Sequence, residues 1–156
     1  MRRGAPTSHD MAGMEHALRL ARAAAVRDEV PVGAVLMLGS TVLGEAHNET
    51  IHQHDPTAHA EFLAIRRAIA AGHAPRLDQA TLYITLEPCA QCAGAIVLSR
   101  LPRVVFGAWD QRAGMAGSVY DLLRNPKLNH RPEVVQGILE EECGEVLKGF
   151  FRAKRT

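Results

Sequence analysis

The sequence predicts an α/β fold in which helices cover a central mixed sheet of five strands, and two observations carry that expectation. Segments with apolar residues at helical spacing alternate with short apolar runs, and neither repeats nor low-complexity tracts interrupt them. Two of those runs follow each other across a glycine turn, whereas later ones are separated by helical segments, so antiparallel and parallel pairing must share one sheet.

Residues 9–27 read as the first helix, with Met14, Ala17, Leu18, Ala21 and Ala25 on one face. Strands at 32–38 and 41–47 flank Gly39-Ser40, whose turn chemistry makes them a hairpin. Asp55-Pro56 signals a turn, and Thr57 is the expected cap of a helix over residues 57–71. A strand at 81–86, a helix at 89–99 and a strand at 103–107 follow, with the two central helices serving as parallel crossovers. Glycine-rich 108–117 reads as a loop, 119–123 as a short helix and 131–136 as an edge strand. The last helix carries the stripe Ile138, Leu139, Cys143, Val146, Leu147 and Phe150.

A chain of 156 residues suits one domain, with residues 1–8 expected to be flexible. No apolar run reaches the length of a membrane span, and the first ten residues lack the apolar core of a secretory signal, so a cytoplasmic protein without a membrane partner is expected. Three cysteines, two of them in one motif, do not make a disulfide framework. The net charge of +1 says little until its distribution is read. Lys148, Arg152, Lys154 and Arg155 follow Glu140, Glu141, Glu142 and Glu145 on the last helix, which suits phosphate binding and a solvated helix end alike.

The chemistry is concentrated in His59-Ala-Glu61 and Pro88-Cys89-Ala-Gln-Cys92. One imidazole and two thiolates are a sufficient ligand set for a catalytic zinc that keeps a position open to water, so His59, Cys89 and Cys92 are the candidate ligands of one Zn²⁺ per chain. Pro88 suits a helix start, and three-residue spacing then puts both cysteines on one side of the first turn. Residues two apart on a regular helix diverge, so His59 is expected at the mouth of its helix. Zinc lowers the pKa of its water, and two thiolates cancel its charge, which leaves the Glu61 carboxylate free to shuttle protons.

Plainer readings of these residues exist. Cys-x-x-Cys also suits a redox pair or half of a closed zinc site. A closed site needs a fourth ligand, and Cys143, the obvious one, falls in an apolar stripe where a free cysteine commonly fills core space. His16, His47, His52, His54, His73 and His130 each fit surface, turn or core roles, although His52 and His54 lie near the expected site. Glu87 before its helix can simply serve the helix dipole.

Almost end to end, the chain resembles the bacterial tRNA-specific adenosine deaminases. Beyond the zinc pattern, the resemblance runs through Glu29-Val-Pro-Val-Gly-Ala-Val35, Asp55-Pro-Thr-Ala-His-Ala-Glu61, Thr81-Leu-Tyr-Ile-Thr-Leu-Glu-Pro-Cys89, Val104-Val-Phe-Gly-Ala108, Ala116-Gly-Ser118 and Asn129-His-Arg131. It implies a three-layer α/β/α cytidine deaminase-like fold. It also implies conversion of the wobble adenosine of a tRNA anticodon stem-loop to inosine, with release of ammonia. The resemblance matches His59, Cys89 and Cys92 to zinc ligands, Glu61 to the shuttle, and Asn48, Val30, Ala60, Leu86 and Asp110 to substrate contacts. Asn48 offers donor and acceptor together, although asparagine after a strand is also a common turn residue.

RNA contacts are expected at Arg112, Arg152, Lys154 and Arg155. A homodimer is implied as well, with Ala93, Ile96, Val97 and Leu98 as a compatible apolar surface, though core packing explains those four equally well. Gln91 stands where the family commonly has methionine. Trp109 is a second departure, placed either to stack a flanking base or to pack under its own loop. Two other functions remain open at this point: deamination of a free base or nucleoside such as guanine or cytosine, and a non-catalytic RNA-binding module. Retention of Glu61 argues against the second.

Overall fold

The computed structural model describes residues 4–155. In chain order it contains α1 (Asp10–Val26), β1 (Gly33–Leu38), β2 (Thr41–His47), α2 (Ala60–Ala70), a 3-10 turn (Ala74–Gln79), β3 (Thr81–Leu86), α3 (Ala90–Leu98), β4 (Arg103–Ala108), β5 (Glu133–Gln136) and α4 (Glu140–Lys154). The five strands form one sheet in the order β2-β1-β3-β4-β5. β1 pairs antiparallel with both β2 and β3, while β3/β4 and β4/β5 are parallel.

Strand alternation sorts the core into two layers. Val35, Tyr83, Val105 and Val135 lie in one row across the sheet and pack with Met14, Ala17 and Leu18 of α1 and Cys143 of α4. Their neighbours Leu36, Leu82, Val104 and Val134 face the other way, against Ala64, Ile65 and Ala68 of α2 and Ala93 and Ile96 of α3. Closeness of α2 to the sheet depends on Gly44: a Cβ there would stand 2.3 Å from the carbonyl oxygen of Ala64. A methyl group cannot enter that space, and the helix that carries the functional motif is thereby held against β2.

Several elements differ from the sequence expectation for identifiable reasons. Thr57 is not the cap of α2, because its amide and hydroxyl both bond to Asp55 Oδ1, at 2.9 and 2.6 Å, in a turn that delays the helix to Ala60. Residues 119–123 form turns and an isolated Ala116–Asp121 bridge instead of a helix, since the Leu122 amide bonds back to Met115 O at 2.8 Å. α2 and α3 are crossovers as expected, but the parallel step from β4 to β5 is made by residues 109–132 without a helix. Ile138 and Leu139 precede α4, and Leu139 takes the left-handed φ of 55° at its cap. The 3-10 turn at Ala74–Gln79, with Pro75 in its first turn, was not foreseen.

The leading segment makes backbone contacts where it is described. Gly4 donates to Val134 O at 2.9 Å, and Arg103 Nη2 donates to Ala5 O at 3.0 Å; residues 1–3 lie outside the described residues. Asp10, 1% exposed, accepts from Arg103 Nη1 and Nη2 at 2.6 and 2.7 Å, from Tyr83 Oη at 3.1 Å and from the Thr7 amide at 2.7 Å. Desolvation raises the Asp10 pKa, but bonds from Arg103 and Thr7 outweigh it and the carboxyl is held below its usual range. Among the described residues, no helix is long and apolar enough to cross a membrane.

Candidate active site

Topology brings three loops to one end of the sheet. β2, β3 and β4 run in the same direction and β1 runs against them, so the C-terminal ends of β2, β3 and β4 meet the start of β1. Open sheets commonly place ligand sites outside such strand ends. Here the ends lead into residues 48–59, 87–89 and 109–118.

His59 and Cys89 each occupy the cap position of a helix, with extended backbones at φ −76°, ψ 151° and φ −78°, ψ −179°. Neither side chain makes a capping bond, and the two face each other. His59 Nδ1 lies 3.4 Å from Cys89 Sγ and 3.6 Å from Cys92 Sγ, and the three donors fall within 4.8 Å of one another. Zn–N and Zn–S bonds of ordinary length at a tetrahedral centre would set N···S at about 3.5 Å, so the donor set fits zinc with one position left open. Cys143 does not join it: its sulfur packs on the opposite face of the sheet against Gly107, among the α1 and α4 contacts. The closed four-ligand site thereby loses its candidate.

Electrostatics favour the ligating thiolate at Cys89 and the protonated forms at Cys92 and His59. A bond from the Cys92 thiol lowers the Cys89 pKa to about 3 against desolvation, with His59 assisting, while the same bond and burial push Cys92 up. The bond to Cys89 raises the His59 pKa. A divalent cation bound here would displace the proton on Cys92 and any on His59. Glu61, 4% exposed, is pushed by burial up to about 7, although its own backbone N–H and the His59 ring oppose the shift.

A cleft of about 430 Å³ opens over this cluster. His59, Glu61 and Cys89 line it together with Val30, Asn48, Ala60, Leu86 and Asp110, so every residue matched to substrate contact lies on one surface. Asn48 holds the loop through Nδ2 to Val30 O at 3.4 Å and accepts from the Thr50 amide at 3.2 Å. One N–H and one lone pair of its amide remain for a ligand.

Arg112, Arg152, Lys154 and Arg155 are not among the lining residues. Arg112 is exposed in the turn after Asp110. Arg152 is 3.4 Å from Glu145, Lys154 pairs with Asp28, and Arg155 is exposed at the end of α4. Trp109 packs edge-on against Phe106, with centroids 5.0 Å apart, and rests near Gly117, so its indole sits under its own loop. Ala93 and Ile96 are fully buried in this chain's own core and are removed from the expected dimer surface; the half-buried Val97 and Leu98, 87% exposed, remain. Gln91 Nε2 donates to Thr57 O at 2.9 Å and ties α3 to the loop before α2.

Sequence reasoning gave the buried Glu29 no role and Glu87 only that of serving a helix dipole, whereas both carboxylates bind loop amides. Glu29 accepts from the amides of Ile51 and His52 at 3.1 and 2.8 Å and from the His52 ring at 2.7 Å, and so holds the loop beyond Asn48. Desolvation raises the Glu29 pKa, but the His52 and Ile51 bonds prevail and lower it. Glu87 plays the equivalent part for the loop after β4. For Glu87 the available signal was an acid at the end of an apolar strand, ahead of glycine-rich loop sequence.

Comparison with known proteins agrees with this geometry. The family model for MafB19-like deaminase matches residues 8–155. The chain is 48% identical to the tRNA-specific adenosine deaminase of Bacillus subtilis (strain 168) over 142 residues, which cover 91% of this chain and 88% of that one. It is similar to a structure solved in a study of A-to-I editing by tRNA:A34 deaminases at the wobble position of transfer RNA, with TM-score 0.82, 44% identity, and coverage of 87% of this chain and 99% of the other. A guanine deaminase from Nitrosomonas europaea superposes with TM-score 0.78 at 21% identity, covering 96% and 86% of the two chains, a likeness of fold alone.

Proposed function

The chain belongs to the tRNA-specific adenosine deaminase family, and we propose that it converts the wobble adenosine of a tRNA anticodon loop to inosine by hydrolysis, releasing ammonia. Its fold is the three-layer cytidine deaminase-like arrangement. The observation that carries the reading is the convergence of His59, Cys89 and Cys92 with the buried Glu61 in one cleft.

His59, Cys89 and Cys92 would hold a zinc ion, which supplies Lewis acidity and a water acidified towards neutrality. Glu61 does the proton work. Its carboxylate takes a proton as the water oxygen adds to C6 of adenine, and delivers it to ring N1. It then moves the remaining hydroxyl proton to the departing amine, so adenosine and water become inosine and ammonia. Apolar Val30, Ala60 and Leu86 exclude bulk water around the ring, and Asn48 contributes its free donor and acceptor to the base or ribose edge.

An unpaired loop base can be received in such a cleft while flanking phosphates meet basic side chains. Arg112 stands two residues beyond Asp110, and Arg152, Lys154 and Arg155 form the basic end of α4; these four are proposed as phosphate contacts. One domain, a homodimer that uses Leu98, and a cytoplasmic site of action complete the reading. Sedimentation at micromolar concentration tests the dimer, and a clean monomer removes it.

The deciding experiment measures inosine in an anticodon stem-loop beside ammonia release from free adenosine, guanine and cytosine. A strong preference for the stem-loop is expected, because binding energy from remote contacts lowers the barrier at C6. Comparable efficiency on a free base refutes the RNA substrate.

A further inference from the structure

Glu87 is 2% exposed, and four loop donors converge on its carboxylate. Oε1 accepts from the Asp110 amide at 3.0 Å and from the Ser118 hydroxyl, while Oε2 accepts from the amides of Ala116 and Ser118 at 2.8 and 3.0 Å. The loop leaves room for this contact at Gly114, where a Cβ would stand 2.2 Å from the carboxyl carbon. Of the donors, Asp110 lines the cleft, as Glu87 itself does at 2% exposure, and Asp110 Oδ1 then holds the amides of Arg112 and Ala113 at 3.1 and 3.2 Å.

We propose that Glu87 is a positioning residue that fixes the Asp110–Ala113 wall of the cleft and thereby sets the affinity for the RNA substrate. This rests on the substrate assigned above. Zinc content is expected to be spared, because among the described residues the Glu87 carboxylate bonds to Asp110, Ala116 and Ser118 and not to His59, Cys89 or Cys92. The arrangement also dictates how a neutral isostere fails. In Glu87→Gln the amide oxygen must face Ala116 and Ser118, whose two backbone N–H groups can only donate. Its NH₂ then faces the Ser118 hydroxyl, which can turn and accept, and the Asp110 N–H, which cannot. Loss falls on Asp110.

The test is a double-mutant cycle with the full zinc-loaded chain and a stem-loop RNA carrying wobble adenosine. Wild type, Glu87→Gln, Asp110→Ala and the double variant are compared for KM, kcat and zinc content. Glu87→Gln is expected to raise KM at least tenfold, with kcat within about threefold and zinc unchanged, and to alter KM less than twofold once Asp110 is alanine. Additive losses, or an unchanged KM, overturn the proposal. Should Glu87→Gln fail to fold, Gly114→Ala drives a methyl group into the same carboxylate and carries the cycle. Ser118→Ala, which removes one hydroxyl donor and no backbone bond, must give a smaller KM-specific loss, and its absence overturns the idea. Trp109, the chain's single tryptophan, sits beside Asp110 and reports on the loop without substrate. Glu87→Gln must therefore make its emission more open to acrylamide quenching, even if a wild type inactive on RNA were to overturn the substrate assignment instead.

Discussion

Replacing Asp10 with asparagine should destabilise the fold while sparing the cleft. Asp10 and Arg103 are 1% and 12% exposed in their side chains, and both guanidinium nitrogens reach the carboxylate at hydrogen-bond distance. Leaving one partner of a buried pair uncompensated typically costs 3–5 kcal/mol. Arg103 keeps Glu133 at 3.4 Å and Ala5 O at 3.0 Å, which places the loss near the lower end, about 3 kcal/mol at pH 7. For a chain of this size that is a fall in Tm of roughly 6–12 °C.

The dependence on pH follows from the direction of the shift. The Asp10 carboxyl titrates below its ordinary 3.8 in the folded chain, so the ionised pair stabilises the fold above about pH 4 and that contribution is lost as pH falls through the folded value. Urea denaturation at pH 7 and at stepwise lower pH, with deamination measured on the folded variants at 25 °C, is the assay. The gap between wild type and Asp10→Asn should narrow as pH drops below 4, with kcat within about twofold throughout. An undiminished gap at pH 3, or a collapse of kcat in the still-folded variant, refutes the assignment of this energy to a charge remote from the cleft.

Glu61→Ala should keep close to one zinc per chain and lose deamination by 100-fold or more, in the range of about 10²–10⁴ for a lost acid–base group. His59→Ala and Cys89→Ala should lose the metal as well, by elemental analysis of the purified variants; a folded but zinc-free Glu61→Ala protein would reassign that residue. Neutralising Arg152, Lys154 and Arg155 together should weaken stem-loop binding and flatten its salt dependence with zinc intact, and an unchanged slope would remove α4 from the RNA footprint. Gly44→Ala, which sets a methyl group 2.3 Å from the Ala64 carbonyl, should cost stability by about 1–3 kcal/mol from overpacking; a neutral Tm would show that α2 can retreat from β2 freely.

Much of this molecule was legible in its sequence, for a local reason. His59, Cys89 and Cys92 announce themselves because metal chemistry restricts residue type and spacing, and the place of His59 at the mouth of its helix follows from the same spacing argument, although the cap was expected at Thr57. Strands and most helices were visible as apolar periodicity. What stayed hidden depends on partners distant in the chain. Residues 119–123 have helical composition, but cross-loop bonds and the Glu87 carboxylate claim amides of that loop. Glu87 and Glu29 read as ordinary acids until their donors, 23 residues away and more for Asp110 and 22 for Ile51, are brought to them. Ala93 and Ile96 were ambiguous between core and dimer surface because a helix stripe does not say which neighbour covers it.

The bond from Gly4 to Val134 gives assembly of the chain an order in time. Val134 lies on the outermost strand of the sheet, where its carbonyl would otherwise be an open docking point for another polypeptide. A ribosome makes Gly4 before Val134, so the segment that meets this edge waits for the strand it pairs with. During that interval Arg103, which bonds to Ala5 O, emerges first and can already hold the leading segment beside β4. The last strand to appear thus meets a border prepared in advance.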